Sequence, residues 1–371
     1  VPKVQKFFAG PEKPSVQTFS NLPPELFERM NNRWKNALYS LALLLLIMAV
    51  WWWRNRNVPE PIKVEGSTMG TSYHVTYFDR HSRNFKRELD SVLVEVNKAI
   101  NNYDTASEVS RFNRSGTAVV FGPTYFPIIL QKAREIVVGS EGAFDPTVMP
   151  VVNAWGFGPD KQQLPDSARI DSLQQFIGFE KLSLTENGIS KTDPRVQIDF
   201  GGIGQGFGAD AMADFLRSKG ITNMLVELGG EGMAVGRNLK TKQAWELGIL
   251  DPASTYDNQF FKVYIKLEDQ SFTTSGNYFN YRIINGQKFS HTINPETGYP
   301  VEHELLSASI FAQDATTADG WATACMVAGL EQAKKWMEAH PELQGFFIYS
   351  TPQGIETYAT PGIQKQLTMQ P

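Results

Sequence analysis

Three stretches of this 371-residue chain carry residue types and spacings suited to chemistry. The first is Asp314-Ala-Thr-Thr-Ala-Asp-Gly-Trp-Ala-Thr323, which opens an apolar run. In a helix, Asp319 and Thr323 are four residues apart and present their oxygens on one face. A carboxylate beside a hydroxyl suits a hard cation such as Mg2+, which takes few protein ligands and keeps phosphate oxygens and waters. The same residue types also cap helices. The second stretch, Asp199-Phe-Gly-Gly-Ile-Gly-Gln-Gly-Phe-Gly-Ala-Asp210, reads as a strand, a glycine-dense turn and a helix start. Glycines let backbone N–H groups approach a phosphate, and a helix start favours an anion. The third, Ser290-His-Thr-Ile-Asn-Pro-Glu-Thr-Gly298, offers His291 as a general base, although a lone strand histidine also fits a structural role. His74, His81, His303 and His340 show no metal-ligand spacing.

The glycine turn contains a decoy. Gly206-Phe-Gly-Ala-Asp-Ala211 matches G-x-G-x-x-A, and Glu227 follows 21 residues later at the end of the next expected strand, the spacing of a dinucleotide-binding unit. The pattern sits mid-chain, begins within a longer glycine run and lacks a surrounding series of βα units, so it argues poorly for a nicotinamide-dependent oxidoreductase. Three further stretches are unremarkable singly: Gly66-Ser-Thr-Met-Gly-Thr-Ser-Tyr73, Asn102-Tyr-Asp-Thr-Ala-Ser-Glu-Val-Ser-Arg-Phe-Asn113, and Gly142-Ala-Phe-Asp-Pro-Thr-Val148 beside Trp155-Gly-Phe-Gly158.

The elements that must position these residues alternate between helix and strand periods. Strands are expected at 72–78, 196–200, 223–228, 260–267 and 306–312. Helices are expected at 85–103, 125–138, 206–219, 317–328 and 330–339. Asn285-Gly286 marks a hairpin between 281–284 and 288–293, and Gly354 a closing hairpin between 346–349 and 356–358. The class is α+β or α/β in one domain of about 300 residues.

Composition narrows the function classes. With 42% hydrophobic and 20% charged residues the chain is globular. One cysteine, Cys325, excludes an intramolecular disulfide and a cysteine-rich zinc site, and its apolar neighbours mark it as a buried thiol. Residues 1–60 hold 8 Lys/Arg and 4 Asp/Glu, the remainder 27 and 35. A mildly acidic body lacks the basic face that nucleic acid requires.

Ala37 to Trp53 is 17 residues without a charge, and Trp51, Trp52 and Trp53 followed by Arg54 and Arg56 fit an interfacial belt. The bulky tryptophans and the absence of an Ala-x-Ala pattern favour an uncleaved anchor over a signal peptide. Arg29, Arg33 and Lys35 before the span balance Arg54, Arg56 and Lys63 after it, so charge sets no orientation. The expected organisation is an irregular tail over 1–36, a transmembrane anchor over 37–53, a linker over 54–65, the main domain over 66–360 and a tail over 361–371.

The six motifs occur in the sequence order of the ApbE family, the FAD:protein FMN transferases, and the chain resembles that family from Gly66 to Tyr358. The resemblance implies an α+β, tunnelling-fold-related domain and an extracytoplasmic, Mg2+-dependent enzyme at the inner membrane. Such an enzyme moves FMN from FAD onto a Thr or Ser hydroxyl of an acceptor and releases AMP. The implied acceptor carries an Asp/Asn-x-x-Ser/Thr-Gly-Ala-Thr type motif, as in electron-transport subunits. By position, the resemblance assigns Met69, Tyr103, Ala143, Phe144 and Asp145 to the flavin site and sets Gly201 and Phe207 along the FAD. It makes the Gly204 carbonyl, Asp319 and Thr323 Mg2+ ligands, and puts His291 and Ile293 in the strand beside the FAD, with His291 as base. Three positions depart from the family pattern: Gln205 where Lys is frequent, Glu231 where Asn is frequent and Asn294 where Asp is frequent. A FAD pyrophosphatase and a membrane-tethered flavin-binding protein without turnover are the alternatives.

Overall fold

A computed structural model describes residues 24–56, 58–159, 164–254, 258–277, 281–284 and 287–368. The chain divides into two units, Val1–Val58 and Pro59–Pro371. Of the first unit the structure describes one helix, α1 (Pro24–Arg56). Its segment Asn32–Trp52 is apolar and long enough to cross a membrane, and all of it is exposed. The expected irregular tail therefore gives way to helix from Pro24 onward. A proline is at home in the first helical turn, and Leu26, Glu28, Arg29 and Met30 are good helix formers. The earlier part of that tail, 1–23, and the Asn285-Gly286 turn lie outside the described residues.

The second unit starts with a hairpin, β1 (Pro61–Thr68) and β2 (Thr71–Phe78). Part of the expected linker is thus a strand: β1 pairs along its whole length with β2. Helices α2 (Lys86–Ile100) and α3 (Glu108–Arg114), strand β3 (Ala118–Val120) and helix α4 (Phe126–Gly139) follow. Then come α5 (Met149–Ala154), α6 (Ser167–Gln174), β4 (Leu182–Thr185) and β5 (Gly188–Lys191). Helix α7 (Gly204–Ser218) leads to β6 (Met224–Leu228), β7 (Glu231–Val235), β8 (Trp245–Leu250), β9 (Phe261–Leu267) and β10 (Gln270–Gly276). A small hairpin, β11 (Tyr281–Ile284) and β12 (Gln287–Ser290), precedes β13 (Leu305–Ala312). The chain finishes with α8 (Ala315–Ala328), α9 (Leu330–Ala339), β14 (Gln344–Thr351), β15 (Gly354–Ala359), α10 (Pro361–Gln364) and β16 (Leu367–Thr368). The expected C-terminal tail is therefore structured: Ile363 is buried and β16 pairs with β9.

Eight strands form the main sheet in the order β1-β2-β6-β7-β10-β13-β14-β15, and every neighbouring pair is antiparallel. A doubly wound dinucleotide fold needs parallel strands, so this topology removes that reading, and Glu227 instead pairs with the exposed His74 at 2.8 Å. Alternating side chains pack on the two faces of the sheet, while the edge strand β15 stays largely exposed. Tyr73, Val75 and Tyr77 of β2 join α2 and α7 in one apolar cluster. Phe78, one residue on, joins Trp245, Ile249 and Ile265 of the small β16-β9-β8 sheet on the other face. Phe347 of β14 faces the helices, and Phe346 and Ile348 face away.

The expected strand at 196–200 does not form. Its pairing is a single parallel bridge, Val148 to Gln197. The Asn113 side chain replaces a strand neighbour: it takes the Ile198 N–H at 2.7 Å and donates to the Ile198 carbonyl at 2.8 Å.

Candidate active site

Helix α8 is built almost wholly of small or apolar residues, and Ala315, Ala318, Gly320, Ala322, Ala324 and Cys325 are all buried. Asp314 caps its start by accepting the Thr317 N–H at 2.8 Å. Asp210 of α7 takes the Ala315 and Thr316 N–H groups, each at 2.8 Å. Burial pushes the Asp210 carboxyl up to about 6, against those hydrogen bonds. Two carboxylates at one helix start match the positive end of its dipole.

The small residues allow α7 and α8 to touch. The Gly206 N–H donates to Asp319 Oδ2 at 2.9 Å, and Thr323 Oγ1 donates to the Gly202 carbonyl at 3.2 Å. The glycine turn and the α8 carboxylate–hydroxyl pair therefore form one corner. Glycine is obligatory at Gly206, where a Cβ would lie 2.3 Å from the Ala315 carbonyl oxygen.

This corner is the floor of a cleft of about 1190 Å³, above the roughly 300–1,000 Å³ of most small-ligand pockets. A ligand of dinucleotide size fits such a volume. Gly201, Gly204, Asp319, Thr323, His291, Ile293, Met69 and Tyr103 all line it. Met69 sits at the β1–β2 turn with φ 50°, and the Tyr103 hydroxyl reaches the Phe157 carbonyl at 3.3 Å. His291 and Ile293 follow β12, which ends at Ser290 instead of running to 293. Pro300 forms an isolated bridge with Ile293.

The other expected positions lie elsewhere. Ala143, Phe144, Asp145 and Phe207 are not among the residues lining the cleft. Asp145 organises a buried turn behind it, accepting the Thr147 N–H at 2.8 Å, the Thr147 hydroxyl at 2.6 Å and the Phe179 N–H at 3.0 Å. Phe144 is in the main core, and Phe207 stacks edge-on against Tyr125.

Two further acidic residues, Asp199 and Glu231, stand in the cleft wall. Asp199 accepts the Gly201 N–H at 2.9 Å and the Asn102 amide at 3.0 Å. Glu231 is 5% exposed, and its Oε2 has no partner. Burial raises the carboxyls of Asp199, Glu231 and Asp319, and the Asp319 charge raises Glu231 further. The sequence signal for Asp199 is its place two residues before the first glycine of the turn; for Glu231 it is the Gly229-Gly230 pair before it. The cleft carries these three acids and His291, with no Lys or Arg among its described lining residues. Hard oxygen donors in an acid-lined wall fit a divalent cation.

The ApbE family profile matches residues 69–347. This chain belongs to the ApbE family. It is 35% identical to the FAD:protein FMN transferase of Haemophilus influenzae over 318 residues, 82% of this chain and 91% of the relative. It is 33% identical to that of Vibrio cholerae over 333 residues, 88% and 97% of the two chains. Its fold is similar to the solved flavin transferase ApbE of Vibrio cholerae, with TM-score 0.75, 32% identity and coverage of 83% and 99%. It is also similar to the apo flavinyl transferase ApbE of Pseudomonas stutzeri, with TM-score 0.74, 29% identity and coverage of 83% and 97%. These ApbE similarities extend over the cleft-bearing unit.

Proposed function

We propose that this chain transfers the FMN half of FAD to a Thr or Ser hydroxyl of an acceptor protein and releases AMP. The observation that carries the reading is the charge of the cleft. Its wall holds the acids Asp199, Glu231 and Asp319 without a described Lys or Arg, so a cation held among them would offset the charge of a bound pyrophosphate.

Asp319, Thr323 and the Gly204 carbonyl would hold Mg2+, which when bound supplies charge neutralisation at the phosphate oxygens. The glycine turn lets the diphosphate approach the backbone closely. Tyr103, Phe157 and Met69 offer apolar surface for the flat isoalloxazine ring. His291 accepts the proton of the acceptor hydroxyl as its oxygen attacks the FMN phosphorus. A P–O bond to the acceptor forms, the bond from that phosphorus to the bridging oxygen breaks, and AMP leaves with the electron pair. Ala143, Phe144 and Asp145 act from behind, by fixing the wall that carries Val148 and Val152. Phe207 likewise supports the turn from the core side.

We place α1 across the inner membrane as an anchor, with the catalytic unit on the periplasmic side. The acceptor is a membrane-associated electron-transport subunit bearing an Asp/Asn-x-x-Ser/Thr-Gly-Ala-Thr type motif. Family membership and the apolar length of Asn32–Trp52 support this reading.

The test is intact mass on a mixture of the full chain in detergent, FAD, Mg2+ and an acceptor domain with that motif. The expected result is a mass gain of one FMN on the acceptor, lost on chelation and lost with Asp319→Ala. FMN and AMP free in solution without acceptor labelling would establish a pyrophosphatase. Labelling that persists in chelator would refute the cation site.

A further inference from the structure

Glu231 opens β7 directly after a two-residue turn. Leu228 and Glu231 are cross-strand partners, and between them Gly229 and Gly230 have φ of 72° and 112°. These are left-handed values that glycine adopts without strain. The turn is pinned at both residues: the Gly229 N–H donates to the Ser72 carbonyl at 3.0 Å, and the Gly230 N–H to Glu227 Oε1 at 2.7 Å. The backbone thus fixes where the Glu231 side chain starts.

That side chain lines the cleft, and its Oε2 is buried without a hydrogen-bond partner. Among the described residues it is the only carboxylate oxygen in that condition. A Cβ placed on Gly229 would meet Glu231 Oε2 at 3.0 Å and Gln205 Nε2 at 2.9 Å. The orphaned oxygen therefore lies beside the first turn of α7, the turn that carries the Gly204 carbonyl and gives the Gly206 N–H to Asp319. An uncompensated buried carboxylate is costly. A second acid, Asp319, lines the same cleft. In a wall without basic side chains, a hard cation shared between the two acids would hold both in the ionised form.

We propose that Glu231, through Oε2, is a cation ligand of this cleft together with Asp319 and Thr323. The assignment rests on the cation site of the proposed function and deepens it. With two carboxylates, the site holds a divalent ion before any diphosphate arrives, so the ion is part of the free protein.

The test is a Mn2+ titration of the chelator-stripped full chain in detergent, with free Mn2+ followed by electron paramagnetic resonance and no FAD present. Wild type is expected to bind, and Glu231→Gln to bind at least tenfold more weakly, in line with the effect of disturbed metal surroundings. In chelator, Glu231→Gln is expected to melt at or above wild type, because it removes a buried acid whose Oε2 has no partner. It should also lose most of the Mn2+-induced rise in melting temperature. Mn2+ affinity within twofold of wild type would overturn the proposal. So would a Glu231→Gln protein that melts below wild type in chelator, which would assign the carboxylate to the fold. Asp319→Ala binding like wild type, or wild type binding none at millimolar Mn2+, would remove the cation site itself, a failure distinct from that of Glu231 alone.

Discussion

The backbone N–H of Gly206 points at the carboxylate of Asp319, 2.9 Å away and 113 residues on in sequence. The bond fixes one oxygen of the acid and leaves the other for the cleft. It also makes the approach of α7 to α8 part of the site, because neither helix alone sets the position of Asp319.

Gly206→Ala tests that approach. The added methyl would lie 2.3 Å from the Ala315 carbonyl oxygen and 2.8 Å from Asp319 Cβ. The nearest of these is backbone and cannot swing aside, so the helices must separate. Overpacking of this kind costs about 1–3 kcal/mol. The expected outcome is a lower melting temperature and a transfer rate that falls more than flavin affinity does. A variant with wild-type melting and wild-type rate would show that the contact is slack.

His291→Ala separates binding from proton transfer. Loss of a general base lowers a rate by about 10²–10⁴, while the apolar and glycine surfaces that hold the flavin remain. Single-turnover labelling of the acceptor should slow by that order, with FAD affinity within a few-fold of wild type. Unchanged single-turnover rates would place the base elsewhere.

Asp79 gives the acid limb of the stability profile. It is buried, and Arg83 donates to it through Nε at 2.8 Å, Nη2 at 3.0 Å and its backbone N–H at 2.9 Å. The Arg83 guanidinium holds its carboxyl well below the usual carboxylate range. The folded state therefore releases this proton more readily than the unfolded chain, and the contribution is present above about pH 4 and lost as pH falls below it. Asp79→Asn should cost about 1–3 kcal/mol at pH 7, and the difference from wild type should close in acid. A difference constant from pH 7 to pH 3 would rule out this pairing as its source.

Cys325 reports on α8. It is buried, and burial pushes its thiol up. Thiolate is the reactive form, so alkylation followed by mass should be slow in the native protein and track unfolding in denaturant. Rapid alkylation under native conditions would mean that the helix carrying Asp319 and Thr323 opens by itself.

Much of this was legible in the sequence because local pattern and tertiary role agree. Leu89, Leu93, Val96 and Ile100 recur at helical spacing and are buried in α2. Asp319 and Thr323 stand four apart, and the helix aims both into one corner. The misses have physical reasons. Val196 to Phe200 alternates like a strand, yet the Asn113 side chain, far off in sequence, takes the place of a pairing strand. Pro61 suggested a linker, but proline is tolerated at the first residue of a strand, and β1 begins there at the sheet edge. Phe207 and Phe144 carry aromatic rings close to glycines, which fits either a flavin pocket or a core, and both rings pack in the main core. Glu231 could be noticed as an acid after two glycines, but only the sheet register shows that the turn buries it.

The order of strands has a consequence for synthesis. The amino-terminal hairpin finds its neighbour only when β6 arrives, with His74 opposite Glu227, and the middle of the sheet waits longer, since β10 lies between β7 and β13. Asp319 comes later still. A nascent chain must hold the glycine-lined side of α7 uncovered until the last fifth of the protein has been made, an interval in which such surfaces are prone to aggregate. Shelter for the growing chain during that interval then adds to the strength of the finished fold in setting how much active protein a cell obtains.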